Sequence, residues 1–461
     1  MFNRRRVFPV CLAAALLLPE VSVPPSASPP PRNLLLITLD TMRADRLQAY
    51  GFIGADTPAL DRIAAEGILF EEAYAAVPLT LPSHASLFTG LYPPRHGVRD
   101  NASVPLATGF TTLAEALRAR GLRTAAFVAS AVVAPGRGLE QGFDLYSSGR
   151  ETAGCGGPPP RRRAGEVVDE TLSWLEVHDA EPFFGWMHLY DTHRPYDLPS
   201  EYMERYVDPY LAAIAYEDAQ IARVVTYLET RGLLDSTLIV VVGDHGESLG
   251  DHGEDAHGIF VYQEALRVPF MVRGPGVSPQ RVSAVARLVD LMPTVLDLFG
   301  VATAGIDGVS LAQVATASGT DPRLEVYAES MYPRRFGWAP LRSLRADRYK
   351  VIDAPRAELY DLARDPTEKH NVLTEHPRVA AAMLQRLRSF DAGEQATPAR
   401  DAEVDTEVLN RIASLGYVGN IGAQAAASSD EQTDPKDRID AFNKISSLQS
   451  ANLERRRSFC R

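Results

Sequence analysis

The chain has 461 residues, 45% of them hydrophobic and 23% charged, which excludes a wholly disordered or membrane-embedded polypeptide. Its formal net charge of −12 argues against nucleic acid as a partner, because phosphate backbones are held by clustered Lys and Arg, and the basic runs at 161–163 and 455–457 are short. The length exceeds the roughly 250 to 300 residues at which one core stops growing, so one large domain, a smaller one and a tail are expected.

Arg4, Arg5 and Arg6 precede an apolar run from Val7 to Leu18, and the proline-rich stretch VSVPPSASPPP follows. That order predicts a signal peptide plus spacer over 1–31, and hence an exported, periplasmic or secreted protein. The apolar run is shorter than the about 20 residues of a spanning helix; an uncleaved anchor is the alternative, and the only route to membrane contact. Cys11, Cys155 and Cys460 are too scattered for a disulfide framework or a thiolate metal site.

Beyond the spacer, short β-branched runs alternate with longer helical patterns, the signature of parallel strands joined by crossover helices. NLLLITLD (33–40) reads as a fully buried strand. TPALDRIAAEG opens a helix with Thr57 as N-cap and Pro58 in the first position, and the strand ILFEEAYA follows. LAEALRARG (113–121) is a helix, RTAAFVAS a buried strand, and 148–165 a breaker-rich loop near the active face. A helix from about Val167 to Glu176 leads to the strand FFGWMHLYD (183–191). The long helix DPYLAAIAYEDAQIARVVTYLETRG then precedes the strand TLIVVVGD (237–244). The strand VPFMVRGPG and the helix LMPTVLDLFG close a large domain over 32–315. Alternation from Leu324 to Val372 and a helix from His376 to Arg388 predict an α+β subdomain over 316–395, and 396–461 reads as linker and helical tail. The predicted fold class is α/β: a large mixed, mostly parallel sheet flanked by helices, with a smaller C-terminal antiparallel sheet.

Ligands of open α/β sheets bind at the carboxyl ends of strands. Three such ends combine carboxylate and imidazole: Asp40; His188, Asp191 and His193; and Asp244 with His245. One Asp after a strand is commonly a helix cap, but three clusters on one edge point to a metal. In VPLTLPSHASLFTG (77–90) a helix begins just after Thr80, placing its hydroxyl where unpaired N–H groups and the helix dipole favour an anion. The alternative is that Thr80 only caps that helix.

With LDTMRADRLQAYG, PSHASLFTGLYPPRHGV, HLYDTHRPY, GDHGESLGDHG, RVPFMVRGPG, LVDLMPTVLDLFG and ELYDLARDPTEKHNV in that order, the chain resembles the sulfatase-like members of the alkaline phosphatase superfamily from Asn33 to about Val372. The resemblance implies their fold, and a metal held by Asp40, Asp244 and His245 with Thr80 as the nucleophile completing the site. Coordination to a dication lowers an alcohol's pKa and supplies an alkoxide near neutrality. Oxygen and imidazole donors favour zinc or manganese, and calcium fits less well beside His245.

Departures from the family pattern bear on substrate. Sulfatases carry Cys or Ser, oxidised to formylglycine, followed by one residue, Pro, Ser and Arg; this chain has Thr80, Leu81, Pro82, Ser83 and His84, and threonine cannot yield that aldehyde. Leu91 stands where Lys or Arg commonly follows the TG, and Thr41 where many sulfatases have a second metal-binding Asp. A threonine nucleophile resembles the phosphodiesterase, phosphoethanolamine-transferase and lipoteichoic-acid-synthase branches instead. His257, thirteen residues after Asp244, matches the spacing of a third histidine in the transferase motif.

By this resemblance His193 and His257 contact the substrate and leaving group, or with Asp191 hold a second metal, giving one or two ions in all. His84 is expected to replace the missing Arg as a donor to the transferring group, and Arg43, His188 and His252 are further substrate-binding candidates. For His188 the alternative is a hydrogen-bonded strand-end residue. The expected activity is metal-dependent hydrolysis of phosphodiesters, phosphomonoesters or phosphonate esters, on a small or polymer-attached anionic substrate, through a covalent Thr80 ester. A phospho-group transferase, a sulfate-ester hydrolase and a catalytically inactive binding protein are the alternatives; the lack of several N-terminal spans favours a hydrolase over membrane-type transferases. Composition and motifs leave the oligomeric state open. The tail RIDAFNKISSLQSANLERRR resembles the entry to a helical-repeat extension and stops abruptly, so a truncated C-terminus is expected. One helix cannot bury its own apolar face, so partner docking or fraying should follow.

Overall fold

The computed structural model describes residues 30–149, 161–315, 323–392 and 433–447. The leader, Cys11, Cys155, Cys460 and most of the 148–165 loop lie outside them. Nine strands form one sheet: β1 (Asn33–Leu39), β2 (Ile68–Tyr74), β3 (Arg123–Val128), β4 (Leu145–Ser147), β5 (Phe183–Leu189), β6 (Thr237–Gly243), β7 (Arg267–Val268), β8 (Phe270–Arg273) and β9 (Gln280–Arg287). The order is β4-β3-β5-β1-β6-β8-β2-β7, with β9 pairing parallel to β2. From β4 to β6 the strands are parallel, and β8 runs against both β6 and β2.

The central strands are apolar throughout because both faces are buried. In β1, Leu34 and Leu36 enter one core while Leu35, Ile37 and Leu39 enter the other, and β5 and β6 divide their side chains in the same way. Helices α1 (Pro58–Glu66), α4 (Ala164–His178) and α5 (Pro209–Thr230) cover one face. Helices α2 (Thr80–Thr89), α3 (Leu113–Ala119) and α6 (Leu291–Leu298) cover the other. Helix α1 starts at Pro58 as expected, but its first turn is capped by a different residue: the Asp218 carboxylate of α5 accepts the Ala59 and Leu60 N–H groups at 3.1 and 2.8 Å.

Two strand expectations change. The run VPFMVRGPG is divided at Pro269, which has no N–H to give a ladder, into β7 and β8. Strand β9 was not foreseen, although Val282, Ala284 and Ala286 are buried at the two-residue period of a strand with one face covered.

The smaller sheet is antiparallel, β10 (Val326–Ser330), β11 (Leu341–Ala346), β12 (Tyr349–Asp353) and β13 (Glu358–Asp361) in sequence order, with α7 (Pro377–Ala392) packed on β11 and β12. Its junction with the large domain corrects the substrate-binding expectation for His252. The His252 Nδ1 faces Glu264 Oε1 at 2.6 Å, its Nε2 faces the Glu368 carbonyl at 3.0 Å, and its ring stacks on Tyr262 at 3.7 Å. Lys350 of β12 pairs with Glu368 at 2.7 Å beside it. The Glu264 carboxylate and the Glu368 backbone carbonyl only accept, so the imidazolium, which donates from both nitrogens, suits the site better than the neutral ring.

Burial works against that charge, but the Glu264 hydrogen bond and the neighbouring carboxylates outweigh it and raise the His252 pKa above its ordinary 6.5. The stabilisation is complete below the unfolded pKa and is lost as pH climbs through the raised folded one. The melting temperature of the wild type should therefore fall as pH rises above the ordinary imidazole value of 6.5, with a shallower slope in His252→Asn. Equal slopes in a calorimetric pH series would remove His252 from the junction's energetics.

Candidate metal-dependent active site

The parallel register of β5, β1 and β6 brings three strand ends together. The Asp40 N–H bonds the Leu189 carbonyl at 3.0 Å, and the Asp244 N–H bonds the Leu39 carbonyl at 3.2 Å. Both carboxylates are fully buried. Asp244 Oδ1 accepts the N–H groups of His245 (2.7 Å) and Thr41 (3.2 Å), while its Oδ2 has no hydrogen-bond partner. Asp40 Oδ2 accepts from the Thr80 hydroxyl at 3.2 Å and from His188 Nε2 at 3.3 Å, and its Oδ1 is likewise without one.

His245 Nδ1 donates to the Gly246 carbonyl at 2.9 Å. With burial and the nearby His257 lowering its pKa to about 3, the ring is neutral and Nε2 carries a lone pair. That nitrogen lies 3.4 Å from Thr80 Oγ1, 3.7 Å from Asp244 Oδ2 and 3.9 Å from Asp40 Oδ1. Burial and the Asp40 charge push the Asp244 carboxyl well up; at Asp40 burial acts upward too, but the His188 hydrogen bond and neighbouring imidazoles bring the net shift down. Two orphaned carboxylate oxygens and one imidazole lone pair within 4.8 Å of one another fit a dication.

Thr80 does not cap α2. It is the first helical residue, Leu79 holds the cap position, and the Thr80 hydroxyl lies between Asp40 and His245. The expected anion cradle of unpaired N–H groups is reduced, because Leu81 N–H is taken by Asn101 Oδ1 at 2.9 Å, position 82 is proline, and Ser83 N–H bonds the Leu79 carbonyl. Ser83 Oγ also donates to the Asp244 carbonyl at 2.5 Å, tying α2 to the end of β6.

For His84 and Arg43 the substrate-binding expectation gives way to a positioning role, and His188 takes the alternative given for it, a hydrogen-bonded strand-end residue. His84 Nδ1 donates to the Thr80 carbonyl at 2.8 Å, and burial lowers its pKa to about 3. Its Nε2 therefore accepts from the Thr38 hydroxyl at 3.0 Å, and Thr38 in turn accepts from Trp186 Nε1 at 3.0 Å. His188 Nδ1 accepts the Ala129 N–H at 3.4 Å, which leaves its Nε2–H for Asp40. His84, His188 and Asp244 also lie within ligand distance of one another, but the two imidazole N–H groups there are already committed. Arg43 bonds Asp45, Asp251 and the carbonyls of Glu247 and Ser248, locking the loop after β1 to the loop after β6.

The second metal site expected at Asp191, His193 and His257 is not among the ligand groupings of the described residues. Asp191 Oδ2 accepts the Ala164 N–H at 2.9 Å where α4 begins. His193 and His257 do line the main site, with ring centroids 5.1 Å apart and His257 4.6 Å from His245. His257 Nδ1 faces the buried Glu247 at 3.2 Å, and His193 stacks on Tyr190 at 4.4 Å. Glu247, Tyr190 and Ser83 were missed as supports, although Glu247 and Ser83 lie in the GDHGES and PSHAS stretches.

In Asp244→Asn the amide oxygen keeps both backbone bonds while the like-charge contact with Asp40 disappears. In chelator the variant should melt a few degrees above the wild type, and with divalent metal the order should reverse. An unchanged order in both buffers would show that no ion is seated here.

Residues 32–301 match the family described as Sulfatase, and 250–392 match the N-sulphoglucosamine sulphohydrolase C-terminal family. An N-acetylglucosamine-6-O-sulfatase of Bacteroides thetaiotaomicron is 25% identical, covering 81% of this chain and 88% of its own. A choline-sulfatase of Rhizobium meliloti is 26% identical with the same coverage, 81% and 88%. The crystal structure of a phosphonate monoester hydrolase of Agrobacterium radiobacter superposes with a TM-score of 0.67 at 23% identity, covering 79% of this chain and 96% of that one. The chain therefore belongs to the sulfatase family, metal-dependent ester hydrolases within the alkaline phosphatase superfamily.

Proposed function

We propose that the chain hydrolyses phosphodiesters, phosphomonoesters or phosphonate esters through a covalent Thr80 ester. The carrying observation is the Thr80 hydroxyl itself, buried 3.2 Å from Asp40 Oδ2 and 3.4 Å from His245 Nε2. A hydrated aldehyde can expel its ester by collapsing to the carbonyl. A threonine ester has no second oxygen on that carbon, so an external nucleophile must release it, which removes the advantage formylglycine gives to sulfate chemistry.

A dication held by Asp40, Asp244 and His245, with zinc or manganese favoured, would lower the pKa of the Thr80 alcohol and offset the charge of the ester. Thr80 Oγ attacks phosphorus in line, its proton passing towards Asp40, and the bond to the leaving oxygen breaks. His257, oriented by Glu247, supplies the proton to that oxygen. Water then attacks the same phosphorus, giving a proton back to His257, and the bond to Thr80 Oγ breaks as Asp40 returns the first proton to that oxygen. An alcohol in place of water would make the chain a transferase, a second reading favoured by the spacing of His257 from Asp244. The reading extends to an exported enzyme, on the strength of the N-terminal arginines and apolar run.

Purified protein assayed on aryl phosphodiesters, phosphonates and sulfates should turn over the phosphorus esters at least about ten-fold faster, and Thr80→Ala should lose about 10³-fold or more in kcat. Acid-quenched protein should carry a phosphoryl or phosphonyl group on Thr80. A clear preference for sulfates, or undiminished turnover in Thr80→Ala, would overturn the proposal.

A further inference from the structure

Residues 433–447 lie beyond the family matches, which end at residue 392, yet they are built into the molecule. Thr433 bridges Trp338, and its carbonyl accepts the Ala339 N–H at 3.0 Å. Asp434 Oδ2 accepts the Arg356 N–H at 3.0 Å, and the Arg356 guanidinium grips both Asp437 oxygens at 2.8 Å. In the helix over 439–447, residues Ile439, Phe442 and Asn443 share one face. Ile439 and Phe442 are buried, Phe442 against Tyr332 and Phe336. Over residues 433–447 the expected partner docking or fraying is corrected, because the chain itself covers the apolar face, Phe442 on Tyr332 and Phe336 and Ile439 beside Gly253; the tail from 448 lies outside the described residues.

The polar member of that face reaches the active-site loop. Asn443 Nδ2 donates to the Gly253 carbonyl at 2.7 Å, and its Oδ1 accepts the Asp255 N–H at 3.1 Å, the two-point pairing of a β-ladder. His257 lies two residues further on. From the other side, the space beside Gly258 is closed by Tyr332, the ring Phe442 packs against, and the Gly258 carbonyl is held by the Ser330 hydroxyl.

We propose that residues 433–447 belong to the catalytic apparatus, with Asn443 a positioning residue that holds the 253–258 loop, and with it His257, in register with Thr80. The inference rests on the proposed service of His257 to the leaving oxygen. Removing the Asn443 amide frees the loop backbone without disturbing Asp40, Asp244 or His245.

The test uses the full chain and whichever ester it turns over fastest. Asn443→Ala should lower kcat by about 10- to 100-fold with KM and bound metal unchanged, as expected when a catalytic group is displaced by about an ångström. Asn443→Asp, which keeps only the acceptor, should fall between the two. In a His257→Ala background, Asn443→Ala should cost less than about two-fold more. Full activity in Asn443→Ala alongside a crippled His257→Ala would overturn the strap alone, as would an equal loss from Asn443→Ala in both backgrounds. An unaffected His257→Ala would overturn both the role of His257 and that of Asn443.

Discussion

Two carboxylates buried side by side at the ends of adjacent strands are the constraint on which the rest of the site depends. Asp40 and Asp244 follow β1 and β6, whose parallel register leaves them no choice but to meet, and neither has access to water. Burying two like charges is costly unless a cation joins them. Much of the surrounding structure holds this arrangement. The Thr192 hydroxyl anchors the Asp40 carbonyl at 2.5 Å, His188 steadies one Asp40 oxygen, and Ser83 secures the Asp244 backbone. Thr41, between them in the chain, stands at φ 54°, a left-handed conformation costing a β-branched residue about 1–2 kcal/mol. Tyr210 holds it there, donating to the Thr41 carbonyl at 2.7 Å and accepting the Arg43 N–H at 2.9 Å.

Around that centre the imidazoles divide by what their nitrogens already touch. His84 and His188 spend theirs inward, one on the backbone of the nucleophile's helix and one on Asp40, so they set geometry. His193 and His257 pack edge to face, His257 beside His245, and their environments differ. Burial, then His257, keep His193 neutral; burial also opposes charge on His257, but Glu247 and other carboxylates raise its pKa. A neutral ring beside one inclined to hold a proton is a useful pairing where an anion must be received and an oxygen released.

The sheet and the carboxylates at its strand ends were legible because their causes are local. Strands buried on both faces must be apolar throughout, and carboxylates directly after such strands stand out. The threonine at position 80 was equally legible, and its identity carries the substrate argument. The errors have one origin: sequence shows which side chains can donate or accept, not which partners tertiary structure will supply. Arg43, His84 and His252 offered donors for a substrate, and the structure shows partners already on them. Asp191 looked like a ligand until it met the start of α4. The tail was misread for the same reason, since the surface that covers Ile439 and Phe442 comes from a distant part of the chain.

The most direct test is equilibrium dialysis of the purified chain against zinc or manganese, with elemental analysis of the bound ion. The account predicts one tightly held ion per wild-type chain, and none when Asp40 and Asp244 are both replaced by asparagine. Turnover by protein shown to be metal-free, or an ion retained by that double variant, would contradict it.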